Sequence, residues 1–229
     1  MINFFRKTRK KLADDNKPIK YMRYAIGEIA LVVIGILIAI SINNWNEIRK
    51  EDIAEKEFIK GVKNDLIQDK KYIKLVIELI KPRIKSYNIL SKELPKLYNE
   101  DKNSLDSILG LYFVGQRTFY PISGSFQSAI SGNEINTYKN KEITRLIIKM
   151  YHSTYERIID NGEIFDDRWD YISKKYSYVR RTGHHREMNN EQMSELLDDI
   201  HYHIVQMLWY RNVLNNAIVE IDELVSKIE

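Results

Sequence analysis

Ala25-Ile-Gly-Glu-Ile-Ala-Leu-Val-Val-Ile-Gly-Ile-Leu-Ile-Ala-Ile-Ser-Ile42 decides the fold. These 18 residues hold one ionisable side chain, Glu28. As a helix they cover ~27 Å, close to the ~30 Å hydrocarbon thickness of a bilayer. The sequence predicts a transmembrane helix over 21–44, preceded by a basic tail over 1–20 and followed by an α-helical bundle over 45–229. Residues 1–24 carry eight Lys or Arg and two acids, whereas the remainder carries 28 basic and 30 acidic side chains. Only Arg49, Lys50, Lys56 and Lys60 follow the span closely. The excess of positive charge before it predicts a cytoplasmic N-terminus and a C-terminal domain in the periplasm. Ile2, Phe4, Phe5 and Leu12 can lie in the membrane surface as an amphipathic anchor. Trp45 and the pair Tyr21 and Tyr24 stand where interfacial aromatics belong.

A cleaved signal peptide is the competing reading, with Ala39-Ile40-Ser41 as its small-residue site. The apolar run exceeds the ~7–15 residues of a signal core, and no helix breaker follows it. A domain with a slight acidic excess offers no basic stripe, which excludes nucleic acid as a partner. The chain has no cysteine, which removes disulfides, thiol nucleophiles and Cys-containing metal sites.

Beyond the span the chain is poor in Gly and Pro and rich in Lys, Glu, Ile and Leu, favouring long helices. The spacing of Trp45, Phe58, Val62, Leu66, Ile73, Val76 and Ile80 continues the membrane helix as far as Pro82. Pro82 and Pro95 are expected to kink or divide the chain beyond that point, with a separate helix over 83–99. Ser104 is expected to cap a short helix reaching Val114. A second long helix is expected from Lys141 to about Tyr178, with Gly162 at a bend or close crossing. The stretch 181–190 has loop composition and predicts an antiparallel hairpin. In the last segment Met193, Leu197, Ile200, Ile204, Met207, Arg211, Leu214, Ile218, Ile221, Val225 and Ile228 alternate in steps of four and three. That heptad seam predicts a coiled-coil-like helix of about 38 residues, with Arg211 either snorkelling out of the groove, the preferred reading, or pairing with an acid on a facing helix.

Residues Gly115–Tyr138 are the least helical. Ser125–Ser131 can form two turns closed by Gly132 as a C′ residue. Loops of this length often bind partners, so Arg117, Phe119, Tyr120, Phe126 and Gly132 are the candidate interaction residues.

Within the span, Glu28 is either an interfacial acid or an intramembrane proton or partner site. Gly27, Gly35 and Ala39 fit the small-residue pattern of helices packing in lipid, which points to a homo-oligomer. Asp199 and His203, and Asp198 and His201, share helix faces, with His184 and His185 on the preceding loop. No compact ligand spacing results, and no metal or cofactor is expected. Asp166-Asp167 and Asp198-Asp199 are adjacent pairs suited to solvent rather than to shared acid–base work. No nucleophile elbow or phosphate loop is present, so no catalytic residues are expected.

Tyr24-Ala-Ile-Gly-Glu-Ile, Leu31-Val-Val-Ile-Gly-Ile-Leu-Ile-Ala39, Ile42-Asn-Asn-Trp-Asn-Glu47 and the start Phe4-Phe5-Arg6-Lys7 resemble a family of uncharacterised single-span membrane proteins from Bacteroidota. The block Phe126, Ser131-Gly132 and Ile135 is similar as well. The resemblance is concentrated in residues 1–50. It implies single-span topology and a bacterial inner-membrane location, and it supplies no catalytic residue. The function expected is non-enzymatic: an oligomeric scaffold or assembly subunit in contact with the lipid bilayer and other envelope proteins. A sensory or transducing subunit, and a subunit of an ion-conducting complex using Glu28, are the alternatives.

Overall fold

The computed structural model describes Lys7 and residues 18–228, with every side chain in that range except those of Pro18, Lys20 and Tyr21. The anchor residues Ile2, Phe4, Phe5 and Leu12 lie outside it. All regular structure among the described residues is helical: α1 (Pro18–Glu100), α2 (Lys102–Tyr112), α3 (Gly124–Ser131), α4 (Lys141–Lys149), α5 (Glu156–Lys175), α6 (Ser177–Thr182) and α7 (Asn190–Ile228). A 3₁₀ turn covers Glu134–Asn136, and a π-helical segment, Met150–Tyr155, joins α4 to α5. The chain divides into two compact units at Ala54–Glu55, ten residues beyond the boundary that the apolar run suggests.

In the first unit α1 is apolar and open. Its best 18-residue window has a mean hydropathy of 2.7, and none of that window is buried by the rest of the chain.

The second unit has four limbs running alternately up and down. The first is α1 from Glu55 onward. The second descends beside it as α2, a coil over 113–123, α3 and the 3₁₀ turn. Its course is marked by Ser86 donating to Ile108 O, Asp69 accepting from Ile122 N, and Phe58 packing on Tyr138. The third climbs again through α4, the π segment and α5. The fourth, α7, descends against both long limbs: Lys70 meets Asp222, Thr154 donates to Glu220, and Lys175 meets Asp199. Antiparallel neighbours with short reversals are the expected arrangement of such bundles.

Several local expectations change. Pro82 and Pro95 lie inside α1, which does not divide. Each removes one helical hydrogen bond at ~3 kcal/mol. Pro95 is exposed and Pro82 half-exposed, so water can solvate the freed carbonyls, while Arg83, Leu90 and Leu94 pack on the inner face. Tertiary packing of one face outweighs local propensity. The cap of α2 is Asp101, whose side chain accepts from Ser104 N; Ser104 itself sits inside the first turn. Gly132 after α3 is right-handed, and the left-handed residue is Asn133 at φ 54°. Asn tolerates that conformation better than other non-Gly residues.

The long helix from Lys141 exists, but with a π segment inside it and a break at Tyr176. The extra residue in the π turn rotates the helix so that Tyr151 and Tyr155 both point inward. Gly162 is a close crossing: a Cβ there would stand 3.4 Å from the Tyr210 hydroxyl. Helix α7 runs 39 residues, but its buried line is Met193, Leu196, Ile200, His203, Ile204, Met207, Tyr210, Leu214, Ala217, Ile221 and Leu224. The period is the expected one, and alternate positions are shifted by one residue. Tyr210 takes the inner place and Arg211 stays half-exposed at the groove beside α1.

Candidate functional site

Two regions hold the residues singled out by the sequence. The first is the open stretch of α1. Helical geometry at ~100° per residue puts Glu28, Gly35 and Ala39 within ~40° of one another, with Gly27 to one side. A Cβ added at Gly27 or Gly35 meets nothing within 4 Å among the described residues, so both small residues lie open. Tyr24 and Trp45 are exposed, and the Arg49 guanidinium lies 5.9 Å over the Trp45 ring. The Tyr21 side chain is outside the described set.

The second region is the coil at 113–123. It is not a surface loop but the middle of the second limb, set between three helices. Phe119 and Phe126 are buried to within 1% of full burial, whereas Arg117, Tyr120 and Gly132 lie at the surface. A coil makes no ladder of its own, so its buried N–H and C=O groups need partners from elsewhere. Side chains supply them. Arg83 donates from Nε to Tyr112 O at 3.1 Å, from one terminal nitrogen to Gln116 Oε1 at 3.2 Å, and from the other to Val114 O. The Gln116 amide and the Thr118 hydroxyl donate to the two oxygens of Asp166 at 2.6 and 2.9 Å. Phe119 N donates to the Tyr210 hydroxyl at 2.9 Å. Ile122 is held at both ends, its N–H by Asp69 Oδ1 at 3.0 Å and its carbonyl by the Tyr151 hydroxyl at 3.1 Å.

Lower down, Asp65 accepts from Ser125 N at 3.4 Å, and Glu55 accepts from the N–H groups of Lys139 and Asn140 at 2.9 and 2.7 Å. Glu55, Asp65, Asp69 and Arg83 are thus buried charges of α1 that fix the second limb in place. Asp69 and Arg83 occupy seam positions, completing the series Val62, Leu66, Ile73, Val76 and Ile80 at spacings of three and four. The apolar pattern alone passes over both residues; charge at a seam position is the signal that marks them.

Burial lifts the Asp69 carboxyl to about 6, against the opposing effect of its bonds from Ile122 N–H and the Tyr155 hydroxyl; Asp65 adds to the rise. Burial lowers the Arg83 guanidinium to about 10, so it stays charged at neutral pH. Its cation is balanced by the Tyr112 carbonyl at the negative end of α2, by the Val114 carbonyl just beyond it, and by the Trp169 ring 4.3 Å away. His203, fully buried, has Nδ1 2.6 Å from the Tyr112 hydroxyl. Burial, with Arg83 and Arg168 nearby, pulls it down to about 3, so the ring is neutral.

The carboxylate–histidine pairs that share a helix face are not used as pairs. Asp199 accepts from Lys175 and Tyr176, and His201 meets Tyr87. His184 and His185 both turn to Asp106 and pin the 183–189 connection to α2. Asp166 is not simply solvated: it is the anchor for Gln116 and Thr118. Among the described residues no three His, Asp or Glu side chains are grouped to hold a metal ion. An open cleft of about 250 Å³ between α6, Arg186–Met188 and the start of α7 contains Tyr178, Gln192 and Glu195.

The profile of a family of unknown function, DUF6090, matches residues 28–200, three quarters of the chain, and the chain belongs to that family. The match starts at Glu28 and takes in most of the helical bundle, so the kinship extends well beyond the first 50 residues that carry the sequence resemblance. Comparison with curated proteins and with solved structures finds no match.

Proposed function

We propose that the chain is a non-enzymatic, single-span protein of the bacterial inner membrane. Its bundle stands in the periplasm and serves as an oligomeric scaffold or assembly subunit of the envelope. The observation that carries this reading is the open apolar stretch of α1: the best 18-residue window is 0% buried. Each large apolar side chain in it gains ~1.5–3 kcal/mol on leaving water, so the segment belongs in lipid. The basic excess before it sets the orientation.

A scaffold is favoured over an enzyme by how the buried polar groups are used. Arg83, Asp69, Asp166 and Tyr210 all face backbone or side-chain groups of the second limb. They brace the bundle rather than line a closed cleft. Small residues on the face of Glu28 support self-association in the membrane.

Fusing alkaline phosphatase after Glu229 tests the topology, with the N-terminal sequence of the membrane-bound protein read alongside. An active fusion on a protein that keeps residues 25–42 is expected. A mature protein beginning after Ser41, or a stably made fusion whose phosphatase stays inactive in the reducing cytosol, overturns the reading. Purification of the full chain in mild detergent then gives its stoichiometry and partners, and a strictly monomeric chain argues against the scaffold.

A further inference from the structure

The antiparallel pairing of α5 with α7 leaves an outward groove between them. Its register places Ile164 across from Trp209, Arg168 across from Val205, and Tyr171 across from Tyr202. These positions recur at steps of three and four on both helices, as a heptad seam does, yet the five uncharged ones are between 46% and 64% exposed. The side chains are already held in place. Trp209 Nε1 donates to Asn161 Oδ1 at 2.8 Å, and the Arg168 guanidinium lies 4.1 Å over the Tyr202 ring and 5.5 Å from the Tyr171 ring. Aromatic and arginine side chains ordered in advance are what protein interfaces use as anchors.

We propose that this groove is a homodimer interface whose occupant is the same groove of a second copy. A twofold axis parallel to α5 and α7 keeps every residue at its own height and sets α5 of one copy against α7 of the other. Ile164 then meets the partner's Trp209, and Tyr171 the partner's Tyr202. Arg168 lies against the partner's Val205. The charges agree as well: Asp198, one turn before Tyr202, comes level with the partner's Lys174 and Lys175. The five uncharged residues expose about 500 Å². Complete burial of these residues in two copies removes about 1,000 Å² from water before any polar rim is counted, which reaches the lower bound for a specific interface.

This names a surface for the proposed self-association and rests on that proposal. The chain lacks cysteine, so Val205→Cys introduces a single thiol into the full-length protein. In membranes, a short bis-maleimide is expected to give a homodimer with Val205→Cys and none with Lys92→Cys, which lies on α1 away from the groove. Adding Trp209→Glu is expected to reduce that adduct about tenfold or more, with helical content unchanged by circular dichroism. Absence of the Val205→Cys adduct, in a protein that still runs as a multimer in mild detergent, overturns the groove alone and leaves the scaffold reading standing. A monomer under both conditions overturns both. A Val205→Cys adduct with a different envelope protein, and no homodimer, overturns the second copy as occupant.

Discussion

Asp69→Asn separates the two things Asp69 does: accept hydrogen bonds and carry charge. The carboxylate takes Ile122 N–H at 3.0 Å and the Tyr155 hydroxyl at 2.7 Å. Asn keeps one acceptor for Ile122 N–H, presents an amide NH2 to the Tyr155 hydroxyl, whose oxygen can accept it, and has no charge to bury. The wild-type carboxyl is raised from 3.8 to about 6. The native state therefore holds more protons than the unfolded chain between those values. Stability from this group is fully present below about pH 4 and is lost as pH rises through about 6. Two units correspond to ~3 kcal/mol at ~1.4 kcal/mol per unit as an upper bound; relaxation of the surrounding dipoles reduces that to ~1–2 kcal/mol. Urea unfolding of the full chain in mild detergent, followed by circular dichroism, measures it. Asp69→Asn is expected to be less stable than wild type at pH 4.5 and to gain ~1–2 kcal/mol relative to it by pH 7.5. Asp69→Ala strands two buried donors at ~1–3 kcal/mol each, partly offset by removal of the charge. It is expected to be the less stable variant throughout. A wild-type-to-Asn difference that is flat with pH, or that changes in the opposite sense, refutes the reasoning.

Arg83→Met leaves the carbonyls of Tyr112 and Val114 without their buried donor and is expected to cost ~3–5 kcal/mol in the same unfolding assay; Arg83→Lys recovers only part, since one ammonium cannot reproduce the three-way fork. A Cβ at Gly61 would stand 2.6 Å from Ser125 Oγ. Gly61→Ala is therefore expected to destabilise by ~1–3 kcal/mol, with Ser125→Gly restoring most of the loss in the double variant. With its pKa lowered to about 3, the His203 ring is expected to show no protonation shift in NMR spectra between pH 5 and 8. Below about 6.5 the unfolded chain takes up the proton that the native ring refuses, so this residue makes stability fall as pH drops.

The long apolar helix, the long C-terminal helix and the 3.5-residue period were legible because each rests on many residues repeating one choice. The phase of α7 was not: Leu197 and Ile218 look more core-like than His203 and Ala217, yet the latter face inward. Size and contact geometry against α5 decided it, and neither is a property of α7 alone. Pro82 and Pro95 stand inside α1 for a similar reason, since breakers are local and the seam of α1 is not. The composition of 113–123 marks a segment without regular structure, which it is, but says nothing of its burial. What places it inside is a set of charges on other elements, Asp69 and Arg83 on α1 and Asp166 on α5. The surface groove at Ile164 and Trp209 was hidden among positions that pass equally well for core.

The second limb has a consequence for how the chain acquires its structure. Residues 113–123 form no regular structure of their own, and their partners stand up to 91 positions away. Such contacts form only after the flanking rods have closed long stretches of chain, which slows the search. That segment should condense last and reopen first. Amide deuteration at Phe119 and Ile122 should accordingly outpace that of neighbouring rod residues, despite equal shelter from solvent.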